Sequence, residues 1–261
     1  MLDYYRRFDE SQRLRGAEDV EYVRTQDILA RYLPPPPAVV LDIGGATGAY
    51  ALPLAADGYE VHLADPIAHH VDEAVRRSAT APRPLASCAI GDARALSFPD
   101  SFADGVLMLG PLYHLTSRAD RRRALDEARR VLRAGGRLFG AAISRFASLL
   151  DGLQRDLIAD PAFVEIVKRD LRDGRHTTTG DPRYFTESQF HLPDELRTEL
   201  LEAGFTVDTL VGVEGPVWDS ARIPGWNDAE RRLLILELLR RVEHEPALLG
   251  ASAHLMIVAT R

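Results

Sequence analysis

A single cysteine, Cys88, leaves the chain unable to close an internal disulfide, and no Cys/His spacing is present that would frame a zinc site. That usage points to a reducing compartment, so the cytoplasm is the expected location and no metal is expected. Long apolar runs are missing as well: no stretch approaches the ~18 uninterrupted apolar residues of a membrane-crossing helix. The opening residues, Met1 to Arg7, lack the apolar centre of a secretion signal. An excess of positive charge is also absent, the formal net charge being −7. Neither nucleic acid nor a membrane is therefore expected as a partner. There is no internal repeat and no low-complexity tract apart from the prolines at 34–37.

What is present suits an ordinary globular α/β protein. Apolar residues make up 46% and charged residues 27% of 261 positions, enough to bury one large core or a core with a smaller lid. The chain is organised around Val39-Val40-Leu41-Asp42-Ile43-Gly44-Gly45-Ala46-Thr47-Gly48-Ala49-Tyr50. A β-branched apolar run ends in an acid and a glycine turn, followed by an apolar helical pattern at Tyr50, Ala51, Leu54 and Ala55. This reads as a buried parallel strand, a tight loop and a helix, with a ligand at the carboxyl end of the strand. Glycines allow a ligand to approach main chain closely because no Cβ intervenes.

Two cofactor types compete for such a turn. The dinucleotide fingerprint G-x-G-x-x-G is met only as Gly44-x-Ala46-x-x-Ala49, and Asp42 would repel a pyrophosphate. The stretch instead resembles the first motif of class I S-adenosylmethionine-dependent methyltransferases, acid-x-Gly-x-Gly-x-Gly. Asp42, Gly44 and Gly48 stand at matching positions, and Ala46 replaces the middle glycine.

Later segments extend the resemblance in the right order. Tyr59 to Asp65 reads as a second strand ending in an acid, 23 residues beyond Asp42. Asp65 is either a ribose ligand or the N-cap of a helix over 66–77, and the two roles can coexist. His69 and His70 fall on that helix, where adjacent residues do not face a common point, so they are expected on a solvated face. Pro84 to Ile90 is a weak third strand. Gly91-Asp92-Ala93 with Leu96, Phe98, Pro99 and Phe102 is similar to the third family motif. Asp104 to Gly110 is the fourth strand, Pro111-Leu112-Tyr113-His114 follows its end, and Arg137 to Ile143 is the fifth. A helix capped by Thr116 or Ser117 precedes the fifth strand and is expected to stop at Gly135-Gly136.

The resemblance implies a doubly wound, seven-stranded, mostly parallel sheet with the last strand antiparallel, flanked by a helical N-terminal segment and helical lid insertions. It implies S-adenosylmethionine as cofactor and S-adenosylhomocysteine as product. Gly44, Gly45 and Gly48 would form the binding turn with Asp42, and Asp65 would hold the ribose. Asp92 and the Ala93 backbone would read the adenine, and main chain at Leu109 and Gly110 would receive the amino group.

The expected organisation is a helical segment and proline linker (1–37), a cofactor-binding core (38–143), a lid or substrate insertion (144–190), and a C-terminal part of the core (191–261). The last part carries a helix opening at His191 to Leu196, a strand from Phe205 to Gly212, a helical insertion at about 217–250 and a final strand from His254 to Thr260. The expected activity is methyl transfer to a small molecule by positioning the two reactants. His114 is the candidate general base because it follows the end of the fourth strand. Tyr4, Tyr5, Arg13, His176, Tyr184, His191 and Trp218 are candidate acceptor contacts in the segments outside the core. Tyr5 or Arg13 is alternatively a partner for the cofactor carboxylate. An NAD(P)-dependent oxidoreductase and a non-catalytic S-adenosylmethionine-binding regulator stand as the alternatives, and no motif specifies the acceptor atom or an oligomeric state.

Overall fold

The computed structural model describes residues 19–178, 181, 183–217 and 223–261. Strand β1 (Val39–Ile43) is buried from Val40 onward, as a strand covered on both faces must be. It pairs in parallel with β2 (Glu60–Asp65), and β2 pairs with β3 (Ser87–Ile90). On its other side β1 pairs with β4 (Ala103–Met108), which pairs with β5 (Leu132–Ser144). A hairpin of β6 (Arg175–His176) and β7 (Ser188–His191) joins the carboxyl end of β5 through Ile143 and Ser144. Beyond it come β8 (Thr206–Gly212) and β9 (His254–Thr260), and β9 runs antiparallel between β5 and β8. The order β3-β2-β1-β4-β5-β9-β8, with one reversed strand, is the doubly wound arrangement expected. The hairpin brings the total among the described residues to nine.

Side chains alternate across β1 with the two-residue period of a strand. Val40 joins Leu63, Leu107, Phe139 and Val258 on one face. That face is covered by α1 (Val20–Tyr32), α2 (Ala51–Ala56) and α3 (Ala68–Thr80) through Ile28, Leu29, Leu54 and Ala74. Leu41 and Ile43 join Met108, Leu138 and Ile257 on the other. A single turn, α4 (Pro111–His114), leaves β4 there. The rest of that cover comes from α5 (Arg118–Val131) and, after α6 (Ala147–Gln154) and α7 (Pro161–Asp173), from α8 (Pro193–Glu202). Each fully buried aliphatic side chain in these layers contributes roughly 1.5–3 kcal/mol. The chain then crosses α9 (Ala229–Val242) and α10 (Pro246–Leu249) before β9.

α1 starts at Asp19, whose side chain accepts the Glu21 N–H at 2.9 Å. It is fixed by Arg24, which is fully buried, donates to the Val213 carbonyl at 3.0 Å and pairs with Glu243 and Asp27.

Several boundaries differ from the sequence expectation by a few residues, and two of them have a clear local cause. α5 ends at Val131 rather than at the glycines, because the backbone N–H groups of Ser101 and Phe102 take the carbonyls of Arg130 and Val131 at 2.9 and 2.7 Å. β5 therefore begins at Leu132. His191 belongs to β7 instead of opening a helix, since the residue before proline avoids the helical region. Leu192 is extended, with φ −75° and ψ 151°, and Pro193 takes the first helical position.

Candidate active site

At the carboxyl ends of β1, β2 and β4 the chain leaves a cavity of about 220 Å³. Its floor is the glycine turn. Gly44 (φ +73°) donates its N–H to the Ala64 carbonyl at 2.7 Å, and Gly48 (φ +82°) closes the turn on the Gly45 carbonyl at 2.9 Å. A Cβ at Gly45 would lie 2.6 Å from the carboxylate of Asp42, so nothing larger than glycine fits there. Ala46 takes φ +46°, a conformation that costs an alanine about 1 kcal/mol. Its backbone N–H is directed at Asp65 Oδ2, 3.0 Å away.

Three carboxylates line this cavity in three different states. Asp42 is buried, and among the described residues its Oδ2 has no hydrogen-bond partner. Burial, and then the nearby charge of Asp65, push its pKa up to about 7 against an opposing bond from the Ala51 N–H. Asp65 is buried as well, but its oxygens are used: Oδ1 accepts the Ile67 N–H at 2.9 Å and lies 3.2 Å from His70 Nδ1. It thus caps the approach to α3 while facing the cavity. Asp92 is half exposed and held by Arg94, whose Nη2 lies 2.6 Å from Oδ2. Those hydrogen bonds outweigh desolvation and keep the Asp92 carboxyl below its usual range.

The remaining wall follows β4. Leu109, Gly110, Pro111, Tyr113, His114 and Leu115 line it, and the His114 ring packs on Tyr113 at 4.5 Å and on Phe185 at 5.9 Å. Tyr50 lines the near side and stacks on Tyr22 of α1 at 5.4 Å. The cavity accordingly draws together Asp42, Gly44, Gly45, Asp65, Asp92, Ala93, Leu109, Gly110 and His114 from the sequence-based candidates. Gly48 shapes the turn from behind and is not among the lining residues. His70, expected on a solvated face, is buried and lines the cavity, because α3 is rotated so that His70, Val71 and Ala74 face inward. Tyr113, Tyr50 and Arg94 also escaped the sequence reading. The apolar-aromatic run after β4 was the available signal for Tyr113.

The acceptor candidates behave differently. His176 is buried, with Nδ1 2.8 Å from Asp170 Oδ2 and Nε2 3.2 Å from the Phe185 carbonyl. Ser148 donates to that same Asp170 oxygen at 2.5 Å, so the trio holds α6, α7 and β6 together and does not have the order of a nucleophile, base and orienting acid. Tyr184 donates to Asp160 at 2.6 Å in a packed cluster with Phe163. His191 is buried 3.7 Å from Glu199. None of the three lines the cavity. Tyr4, Tyr5, Arg13 and Trp218 lie outside the described residues.

The partnerless, buried Asp42 oxygen fits a cofactor that brings positive charge and no phosphate. The comparisons agree. Residues 40–136 match the methyltransferase domain family. The ubiquinone/menaquinone biosynthesis C-methyltransferase UbiE of Caulobacter vibrioides is 30% identical over 218 residues, covering 76% of this chain and 79% of that protein. The chain belongs to the class I S-adenosylmethionine-dependent methyltransferases.

The fold comparison extends over nearly the whole methyltransferase. A Methanosarcina mazei S-adenosylmethionine-dependent methyltransferase superposes with a TM-score of 0.62 at 19% identity, covering 90% of this chain and 96% of the other. One from Mesorhizobium loti gives 0.60 at 17%, covering 95% and 100%. S-adenosylmethionine is therefore the cofactor, and the nicotinamide alternative is set aside. Among the described residues no helix is long and apolar enough to cross a membrane.

Proposed function

We propose that this methyltransferase acts on a small-molecule acceptor, and that the cavity at the ends of β1, β2 and β4 is where the cofactor and acceptor meet. The observation that carries the reading is the convergence on one cleft of a buried acid with one partnerless oxygen (Asp42), a second buried acid (Asp65) and an aromatic wall (Tyr113, His114). Asp42 would face the cationic amino-acid end, with main chain at Leu109 and Gly110 receiving the amino group. Asp65 would hold the ribose hydroxyls, and Asp92 with the Ala93 N–H would read the adenine, Arg94 yielding part of its grip on Asp92. The bound cofactor supplies an electrophilic methyl carbon. What the protein adds is position and exclusion of water.

His114 lines the cavity wall that follows β4, and in this reading it would contact the acceptor as hydrogen-bond partner or proton acceptor. Residues 144–190, which carry Phe185 against His114, serve as the lid. The chain's acidic balance favours a small acceptor over nucleic acid, and its lone cysteine favours the cytoplasm. A carbon acceptor on a hydroquinone-like ring is a second reading, favoured by the Caulobacter relative, a C-methyltransferase of quinone biosynthesis.

Calorimetry with S-adenosylmethionine and S-adenosylhomocysteine, followed by tritium-methyl transfer across phenols, hydroquinones, amines and carboxylates, tests both readings. Transfer to one class establishes the acceptor. Binding without any transfer would favour the regulatory alternative, and no binding would remove the cofactor site from these residues.

A further inference from the structure

The cofactor reading leaves one inward-facing side chain of the cavity without a task. His70, the third residue of α3, is 3% exposed and lines the cavity together with Asp65. Its Nδ1 lies 3.2 Å from Asp65 Oδ1. An ionised carboxylate only accepts, so the contact fixes a proton on Nδ1. Oδ1 also accepts the Ile67 N–H at 2.9 Å, and Oδ2 accepts the Ala46 N–H at 3.0 Å.

These donors matter because of how many a carboxylate can serve. Its two oxygens offer about four lone-pair sites, two apiece. Ile67 and His70 fill both sites on Oδ1, Ala46 fills one on Oδ2, and a single site remains. Two neighbouring ribose hydroxyls gripped by both oxygens need one site on each. Oδ1 has none to give while His70 holds it.

None of the three donors is placed to leave. Ala46 donates from the main chain of the turn closed by Gly48, and Ile67 from the residue that enters α3. His70 is kept in place by its own helix, since Val71 and Ala74, buried beside it, seat α3 against the sheet. Withdrawing the ring would strip a buried N–H of that acceptor.

We propose that His70 makes Asp65 a one-handed ribose ligand: the carboxylate takes a single hydroxyl, through Oδ2, and contributes nothing to selection at the other ribose position. The proposal rests on the reading that Asp65 holds the ribose, and narrows that hold to one of the two hydroxyls. His70 is a positioning residue, acting on the cofactor through Asp65.

Calorimetry of the full chain with S-adenosylhomocysteine and with its 2′-deoxy and 3′-deoxy analogues tests this without turnover. The affinity lost with each hydroxyl is measured in the parent protein and in Asp65→Ala. In the parent, the hydroxyl bonded to Asp65 should be worth about tenfold or more in affinity. Asp65→Ala should erase that loss and leave the loss for the other hydroxyl unchanged. In His70→Leu the carboxylate gains a second open site, so Asp65→Ala made in that background should reduce both losses. His70→Asn, whose amide N–H can stand where the Nδ1–H does, should return the parent pattern, an outcome that a purely structural ring would not produce. Should His70→Leu fail to fold, the parent and Asp65→Ala still decide between one hydroxyl and two. Dependence of both hydroxyls on Asp65 in the parent would overturn the proposal, because His70 would then have given way. An unchanged, single dependence in His70→Leu would overturn it too. If Asp65→Ala left both losses intact, or if S-adenosylhomocysteine did not bind at all, the underlying ribose reading would fail instead.

Discussion

Asp65 Oδ2 accepts the backbone N–H of Ala46 at 3.0 Å, so the end of β2 grips the turn that follows β1. The same carboxylate caps the entrance to α3, and any ribose bound in the cavity would have to share it. Asp65→Ala should therefore weaken S-adenosylmethionine binding by roughly the ~1.5–3 kcal/mol of hydrogen bonds to a charged group. Calorimetry reads the change. Unchanged affinity would reduce Asp65 to a cap.

Asp42 gives a pH dependence of defined sign. Its folded pKa of about 7 lies above the ordinary carboxylate range, so the native state keeps a proton that the unfolded chain has released. Stability contributed by that proton is present at low pH and lost as pH rises through 7. The penalty above pH 7 is on the order of 4 kcal/mol. Asp42→Asn should raise the Tm at about pH 8 and change it little near pH 4, as thermal melts would show. A cationic ligand reverses the preference, so S-adenosylmethionine affinity in the parent protein should increase as pH rises through 7, with proton release detectable in buffers of different ionisation heat.

Gly45→Ala forces a methyl group to within 2.6 Å of the Asp42 carboxylate. The overpacking should cost about 1–3 kcal/mol of stability and shift the acid away from the cavity. Circular-dichroism melts together with calorimetry check both effects. A parent-like Tm and affinity would mean that the turn yields more easily than its packing implies.

Glu199 lies 78 residues from Arg121 in sequence yet forms two hydrogen bonds with it, at 2.6 and 2.8 Å. Burial alone would raise its pKa, but Arg121 and His191 more than offset this and bring it to about 2. The stabilisation is complete above the ordinary glutamate range and is lost as pH falls from about 4.5 toward 2. Glu199→Ala leaves a buried guanidinium without its partner and should cost about 3–5 kcal/mol at neutral pH. Denaturant melts at two pH values measure it.

His114→Ala should lower turnover on the acceptor by a larger factor than it lowers cofactor affinity, because its ring faces Tyr113 and Phe185 rather than the glycine turn. Steady-state kinetics beside calorimetry separate the two. Full turnover would take His114 out of the acceptor site.

How far the sequence could be read depended on the range of the interactions. Asp42, Asp65 and Asp92 each lie at or just past the carboxyl end of a strand, and strand ends are set by local alternation and turn residues, so their convergence could be anticipated. His70 could not, because the rotation of α3 is fixed by the packing of Val71 and Ala74 against the sheet. The Glu214 and His254 pair spans 40 residues and forms only when β9 inserts beside β5. The β6/β7 hairpin was hidden by its length, and α5 stops four residues before its glycines because a neighbouring loop claims its carbonyls. His176, Tyr184 and His191 had the polar-aromatic character of a binding surface, but such residues equally satisfy one another inside an insertion.

The buried Arg24 joins α1 to partners 189 and 219 residues away. Contacts of that span close late in folding, after the entropy of the intervening loops has been lost. Tyr22, carried on the same helix, stacks on Tyr50 beside the glycine turn, so an undocked α1 would leave that side of the cavity uncovered. A nascent chain that has completed β1 to β5 would thus present an open glycine turn with one side missing, and tight cofactor retention would mark the moment when the two distant ends of the polypeptide have met.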